Sequence, residues 1–284
     1  PKLDDLASTY SSLFGFLKSE NDSFTTVYQA LETVDKQSLK RNLKKDAAKG
    51  NLYKGSWPIN FTQTNSIGVE SANGTPTYDL KTNDDEPNHD IIKNFLNVVN
   101  TKGDAATAKE AISGVVDMDY WLKYCAMMWV IGNPDDLRNN TNNTYVYFNS
   151  KNNLMYPIPF DNDRCFGIME DWPIDTSTVW MTTTKRCGAD RAWNEKPLLW
   201  RTIMEETDNG VNYSNDYPVI SEWKTQYEAY CVEYTNKYLN ADKFQTFTNQ
   251  FHYSNKNISS AGGIKNANMT FADYASNKLA TFAQ

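Results

Sequence analysis

Gly132-Asn133-Pro134-Asp135-Asp136-Leu137-Arg138-Asn139-Asn140-Thr141-Asn142-Asn143-Thr144-Tyr145-Val146-Tyr147-Phe148 leads, through Asn149-Ser150-Lys151-Asn152-Asn153, into Leu154-Met155-Tyr156-Pro157-Ile158-Pro159-Phe160-Asp161-Asn162-Asp163. Residues 144–148 and 154–159 read as short strands joined by a loop of about five residues, a hairpin. Antiparallel pairing returns the chain to its starting end, so residues before the first strand and after the second share that end. Asp135, Asp136, Asn139 and Asn140 stand on one side, and Asp161, Asn162 and Asp163 on the other. Carboxylates brought this close repel, and a divalent cation relieves the repulsion. Oxygen-only donors point to Mg²⁺ or Ca²⁺ rather than zinc. Asp135-x-x-x-x-Asn140 has the spacing that protein kinases use for a positioning base and a metal-binding amide. Kinases also follow that loop with a hairpin and a metal-binding Asp. The residues alone leave a second reading open, a solvated acidic loop held by Asx turns.

Working outward, residues 118–131 are apolar nearly all round, capped by Asp117 and stopped by Gly132, which predicts a buried central helix. Residues 87–99 carry Ile91, Ile92, Phe95, Leu96 and Val99 at helical spacing. Asp84, Asp85, Glu86 and Asp90 gather at its start, where acids complement the helix dipole. Residues 104–113 read as a further helix. Residues 12–18 and 24–31 flank a turn and read as a hairpin. Residues 32–45 run from a strand end into a helix whose wet side is the basic run 36–45, and 51–55 form a short strand and turn. Residues 60–87, polar and punctuated by Gly, Pro, Asn and Asp, are expected to be a long surface loop. Beyond 163 an irregular Trp/Thr-rich stretch runs to 193. Residues 197–239 read as helical around a loop at 208–217, and 242–284 as polar with weak helical signals. With no repeat or linker, the expectation is a single α+β domain over 1–284 with a central hairpin, a buried helix and a helical C-terminal part.

A net charge of -7 and a pI near 5.0 speak against a nucleic-acid face, and no Lys/Arg cluster is interleaved with aromatics. No run reaches the apolar length of a membrane span. Pro1 at the start reads as a processed or trimmed product. Eight Asn-x-Ser/Thr sequons, at Asn21, Asn60, Asn73, Asn139, Asn142, Asn212, Asn257 and Asn268, fit a secreted or cell-surface glycoprotein. The four cysteines show no C-x-x-C pair, which speaks against structural zinc. Cys165 and Cys187 flank the irregular stretch and are expected to pair, with buried free thiols as the alternative; Cys125 and Cys231 are expected to be buried. With only His89 and His252, Ser-His-Asp and Cys-His catalysis have little to work with. His89 is expected to cap its helix or to face solvent.

The hairpin stretch resembles the CotH (spore coat protein H) kinase family. The pattern runs Gly132-Asn133-Pro134-Asp135, Asn142-Asn143, Tyr145-Val146-Tyr147, Ile158-Pro159-Phe160-Asp161-Asn162-Asp163 and Phe166-Gly167. Upstream, 27–35 resembles the family's segment around its Glu, and Asn51-Leu52-Tyr53-Lys54-Gly55 resembles another family motif. The resemblance implies an atypical protein-kinase-like fold that uses Mg²⁺ (Ca²⁺ as the alternative) and ATP to phosphorylate Ser/Thr of secreted proteins. It implies Asp135 as catalytic aspartate and Asn140 as its loop partner and a metal ligand. It implies Asp161 and Asp163 as metal ligands, and Lys54 and Glu32 as residues that hold the phosphates. Family members carry further N-terminal strands with cationic anchors, and this chain is expected to begin after most of them. The alternative is a non-catalytic surface module on the same fold that binds protein or polysaccharide.

Overall fold

The computed structural model describes residues 13–18, 25–30, 33–43, 45–101, 103–133, 135–162, 165, 199, 202–203, 207–208, 211–212, 218–239, 276 and 280. Strands β1 (Leu13–Lys18) and β2 (Thr25–Ala30) pair antiparallel as the expected hairpin. Helix α1 (Lys36–Asn42) follows, and Asp35 caps it by accepting from the Gln37 and Ser38 amides while Ser38 closes a capping box. A turn of 3₁₀ helix, Lys45–Ala47, leads to β3 (Leu52–Gly55). Next come β4 (Ile67–Gly68), β5 (Tyr78–Leu80), α2 (Asp90–Val99), α3 (Ala105–Ser113) and α4 (Met118–Ile131). The central hairpin is β6 (Thr144–Phe148) and β7 (Met155–Pro159); the pair β8 (Thr207–Asp208) and β9 (Val211–Asn212) and helix α5 (Ser221–Tyr238) follow. The mixed α+β class is as expected.

The five-stranded sheet runs β4-β5-β3-β6-β7. Strand register sorts its side chains onto two faces. Tyr53, Leu80, Val146, Phe148 and Met155 enter the main core beneath α2 and α4. Leu52, Tyr145, Tyr147 and Ile158 face the other way, into a smaller cluster with Val34 and Leu39 from around α1. The sheet is therefore covered on both sides, and β6 is buried at every position.

One expectation needs correcting. Residues 60–87 are not a loop throughout: β5 lies between β4 and β3, and Tyr78, Asp79 and Leu80 are all buried. Three residues are too few to show periodicity, and Asp79 breaks the apolar pattern that would have marked a strand. Its carboxylate, 1% exposed, is matched by Lys81 and by the Glu70 amide at 2.9 Å. Similarly, β8 and β9 pair within a stretch read as helix and loop.

Helix α4 is the buried helix the sequence predicts, and α5 packs along it through Trp223, Tyr227 and Cys231. Asp117 caps α4 by accepting from the Tyr120 amide at 3.0 Å, and its second oxygen accepts from the Tyr156 hydroxyl at 2.8 Å. The start of α4 is thus bound to β7. At its end Gly132 turns left-handed (φ 63), and the Gly132 and Asn133 amides donate back to Trp129 and Met128. That turn sends the chain into the loop 133–143, directly ahead of the hairpin. Cys125 and Cys231 are both fully buried, as expected; burial pushes the Cys125 thiol well up. Cys187, the partner expected for Cys165, lies outside the described residues.

Candidate active site

The loop after α4 is wound around one buried side chain. Asp136 accepts from the Arg138 and Asn139 amides at 3.1 and 2.9 Å, from Asn139 Nδ2 at 2.9 Å, and from Arg138 Nε at 2.5 Å. Asp136 and Arg138 are each 1% exposed, so this ion pair sits in the interior. The Asn140 amide closes onto the Asp136 carbonyl at 2.9 Å. Asn139 is buried and its Nδ2 also donates to the Asn133 carbonyl at 3.0 Å, so its sequon cannot carry a glycan in the folded chain. The expectation that Asp136 and Asn139 join a crowded acidic edge is therefore wrong. Both turn inward, because Arg138 supplies the buried charge that Asp136 needs.

With Asp136 anchored, its neighbour Asp135 faces the base of the hairpin. One Asp135 oxygen accepts from Asn140 Nδ2 at 2.6 Å and Asn142 Nδ2 at 3.3 Å, and the other from Asn143 Nδ2 at 3.1 Å. The Asp135 amide donates to Asn133 Oδ1 at 2.9 Å. Three amides therefore orient a carboxylate that is 8% exposed.

Across the hairpin, pairing runs to Thr144↔Pro159, and the Phe160 amide extends it by donating to the Asn143 carbonyl at 3.1 Å. Asp161 comes next, exposed and left-handed (φ 54). Asn133 Nδ2 donates to Asn162 Oδ1 at 2.7 Å, which ties the two sides together. Asp135, Asn140 and the Asp161 segment thus meet at one end of the hairpin, as antiparallel pairing requires. Thr141 (φ 53) and Asn143 (φ 50) are left-handed as well. A β-branched residue pays for that conformation, and such strain collects at functional sites.

Lys54 reaches the same end. It pairs in register with Tyr145 on one side and Asp79 on the other, and its Nζ lies 5.5 Å from the centre of the Phe160 ring. Phe160 in turn packs edge-on against Tyr145 at 5.4 Å. The buried Asp79, with Lys81 and Glu70, stands beside Lys54 on this face. Sequence reasoning missed that acid–base group because it fell in the stretch taken for a loop. Glu32 and Asp163 lie outside the described residues. His89 starts α2 without a side-chain cap; its Nδ1 lies 3.1 Å from the Tyr53 hydroxyl.

Among the described residues no three acidic, His or Cys side chains gather as a ready-made metal cage. Asp135, Asp161 and Asn140 nonetheless have the donor chemistry of a Mg²⁺ site, since Mg²⁺ usually takes one or two carboxylates and completes its shell with water and phosphate oxygens. Among the described residues no helix is long and apolar enough to cross a membrane.

The architecture is that of an α+β domain with a carboxylate-and-amide site at the base of a buried hairpin. The chain belongs to the CotH kinase family: the family model described as "CotH kinase protein" matches residues 19–253, which span the hairpin, the loop before it and α5. No curated protein matches the chain. Family membership points to a kinase-like function.

Proposed function

We propose that this chain is a phosphotransferase that moves the γ-phosphoryl group of Mg²⁺–ATP to Ser/Thr hydroxyls of extracellular or secretory-pathway proteins. The observation that carries this reading is the Asp135 carboxylate, held by three amides and set against the Asp161 segment. Asp135 accepts the proton of the attacking hydroxyl as its oxygen bonds to the γ-phosphorus and the bond to ADP breaks. Asp161 and Asn140 are the described residues that would hold Mg²⁺, with Asp163 as a further ligand. Bound there, the ion neutralises charge on the phosphates. Lys54 answers the same phosphates from the neighbouring strand, and Glu32 is proposed to assist it. An extracellular setting is supported by the sequons; Asn73, exposed beside the Ser71–Gly74 bridge, is well placed to carry a glycan.

The test is transfer of labelled γ-phosphate to a generic acceptor protein. Asp135→Asn keeps the oxygen that accepts from Asn140 and Asn142 but removes the base, and is expected to lower kcat by about 100-fold or more with little change in the KM for ATP. Asp161→Ala is expected to raise that KM and the Mg²⁺ requirement together. A wild type that binds secreted proteins or polysaccharide, with or without Asp135 and Asp161, and transfers no label would make the domain a binding module.

A further inference from the structure

Trp57 is an outlier among the large apolar residues. It is 54% exposed, whereas Trp121 and Trp129 are fully buried. Burial therefore does not account for an indole at this position. The backbone on either side of it is fixed. The Ser56 amide donates to the Thr77 carbonyl at 2.8 Å, and the Ile59 amide to the Thr141 carbonyl at 2.8 Å. Ile59 is fully buried and packs so closely on Gly55 that a Cβ there would fall 1.9 Å from Ile59 Cδ1. This short bridge hangs Trp57 over the loop that carries Asp135, and its Nε1 points at Asn140 Oδ1 from 3.4 Å.

The chemistry of an amide gives that contact a consequence. Asn140 donates through Nδ2 to Asp135 at 2.6 Å, and only its Oδ1 can bind a cation. The opposite rotamer would set the amide oxygen against the Asp135 carboxylate and the NH₂ group against the indole N–H, which mismatches both ends. The indole N–H takes one lone pair of Oδ1, and an amide oxygen carries a second that can bind a metal ion. We propose that Trp57 is a positioning residue: its indole N–H fixes the Asn140 amide so that the NH₂ grips Asp135 and the carbonyl oxygen faces a divalent cation. This inference rests on the reading of the site as a cation–nucleotide site and adds an outer partner to it.

The probe is Mn²⁺, with the tryptophan side chains labelled with ¹⁵N at the indole nitrogen and Trp57→Phe used to assign the Trp57 signal. Mn²⁺ is expected to broaden the Trp57 indole resonance at the lowest additions, and Asp161→Ala to abolish that effect. Trp57→Phe, which keeps a ring on the surface but loses the donor, is expected to weaken Mn²⁺ binding about threefold to tenfold, at the lower end of outer-partner effects because the bond is long. In an Asn140→Ala background the same substitution should change nothing, since the indole acts through Asn140. Asp161-dependent Mn²⁺ binding that leaves the Trp57 resonance and the Trp57→Phe affinity unchanged overturns the role of Trp57 and leaves the site reading intact. An equal loss in both backgrounds also overturns it, by showing general support of the loop. If Mn²⁺ does not bind through Asp161 at all, the site reading itself is lost.

Discussion

Asp135 and Asp136 are adjacent acids in one loop, and their partners give them opposite work. Asp136 is sealed against Arg138 and spends its oxygens on the loop's own backbone. Removing it takes the carboxylate from a buried guanidinium, so Asp136→Ala is expected to cost roughly 3–5 kcal/mol in urea denaturation. Asp135 accepts from three neutral amides, and Asp135→Asn keeps the oxygen that two of them share, so it should cost much less in denaturation than Asp136→Ala while removing activity. Equal stability losses in the two variants would contradict this division. Of the two readings open at the sequence level, the Asx-turn loop describes Asp136, and the cation site is what we propose for its neighbour Asp135. Spacing could not separate them, because the deciding partner of Asp136 is a charge buried two residues away. Nor could the sequence single out Trp57, whose relation to Asn140 spans 83 residues and depends on where β3 lies in the sheet.

Among the elements, those that proclaim themselves locally were legible. The buried α4, its Asp117 cap and its Gly132 stop were all readable, because each is written in consecutive residues. The central hairpin was legible for the same reason, and with it the shared end of the Asp135 loop and the Asp161 segment. β5 was not, because its burial comes from its neighbours β3 and β4 and from the Lys81 partner of Asp79. His89 also depends on long-range contacts. Asn51 Nδ2 donates to the Tyr53 hydroxyl at 3.2 Å, and His89 Nδ1 lies 3.1 Å from the same hydroxyl, the tautomer setting which of the two donates. Burial pushes the Tyr53 hydroxyl up to about 12, partly offset by Asn51. Burial, reinforced by Lys93, pulls His89 below its usual value. A histidine with a lowered folded pKa favours the fold above its unfolded value near 6.5, and that contribution is lost as pH falls through the folded pKa. NMR titration is expected to give His89 a pKa below about 6.5, with stability declining on acidification through that range. A value at or above 6.5 would contradict the lowering by burial and Lys93.

For the whole molecule, the sheet is the device that makes the site. It is covered on both faces, so β6 and its neighbours are fixed, and the loops at its ends inherit that rigidity. Three strands or strand ends deliver Lys54, Asp135 with Asn140, and Asp161 to one edge, and family membership connects that edge with kinase chemistry. The central claim is that this edge takes a cation-dependent nucleotide. Calorimetric titration of Mg²⁺–ATP into the chain tests it most directly. The account predicts saturable binding that disappears in EDTA, is lost in Asp161→Ala and survives in Asp135→Asn. Absence of binding by the wild type, or binding indifferent to both the cation and Asp161, would contradict it.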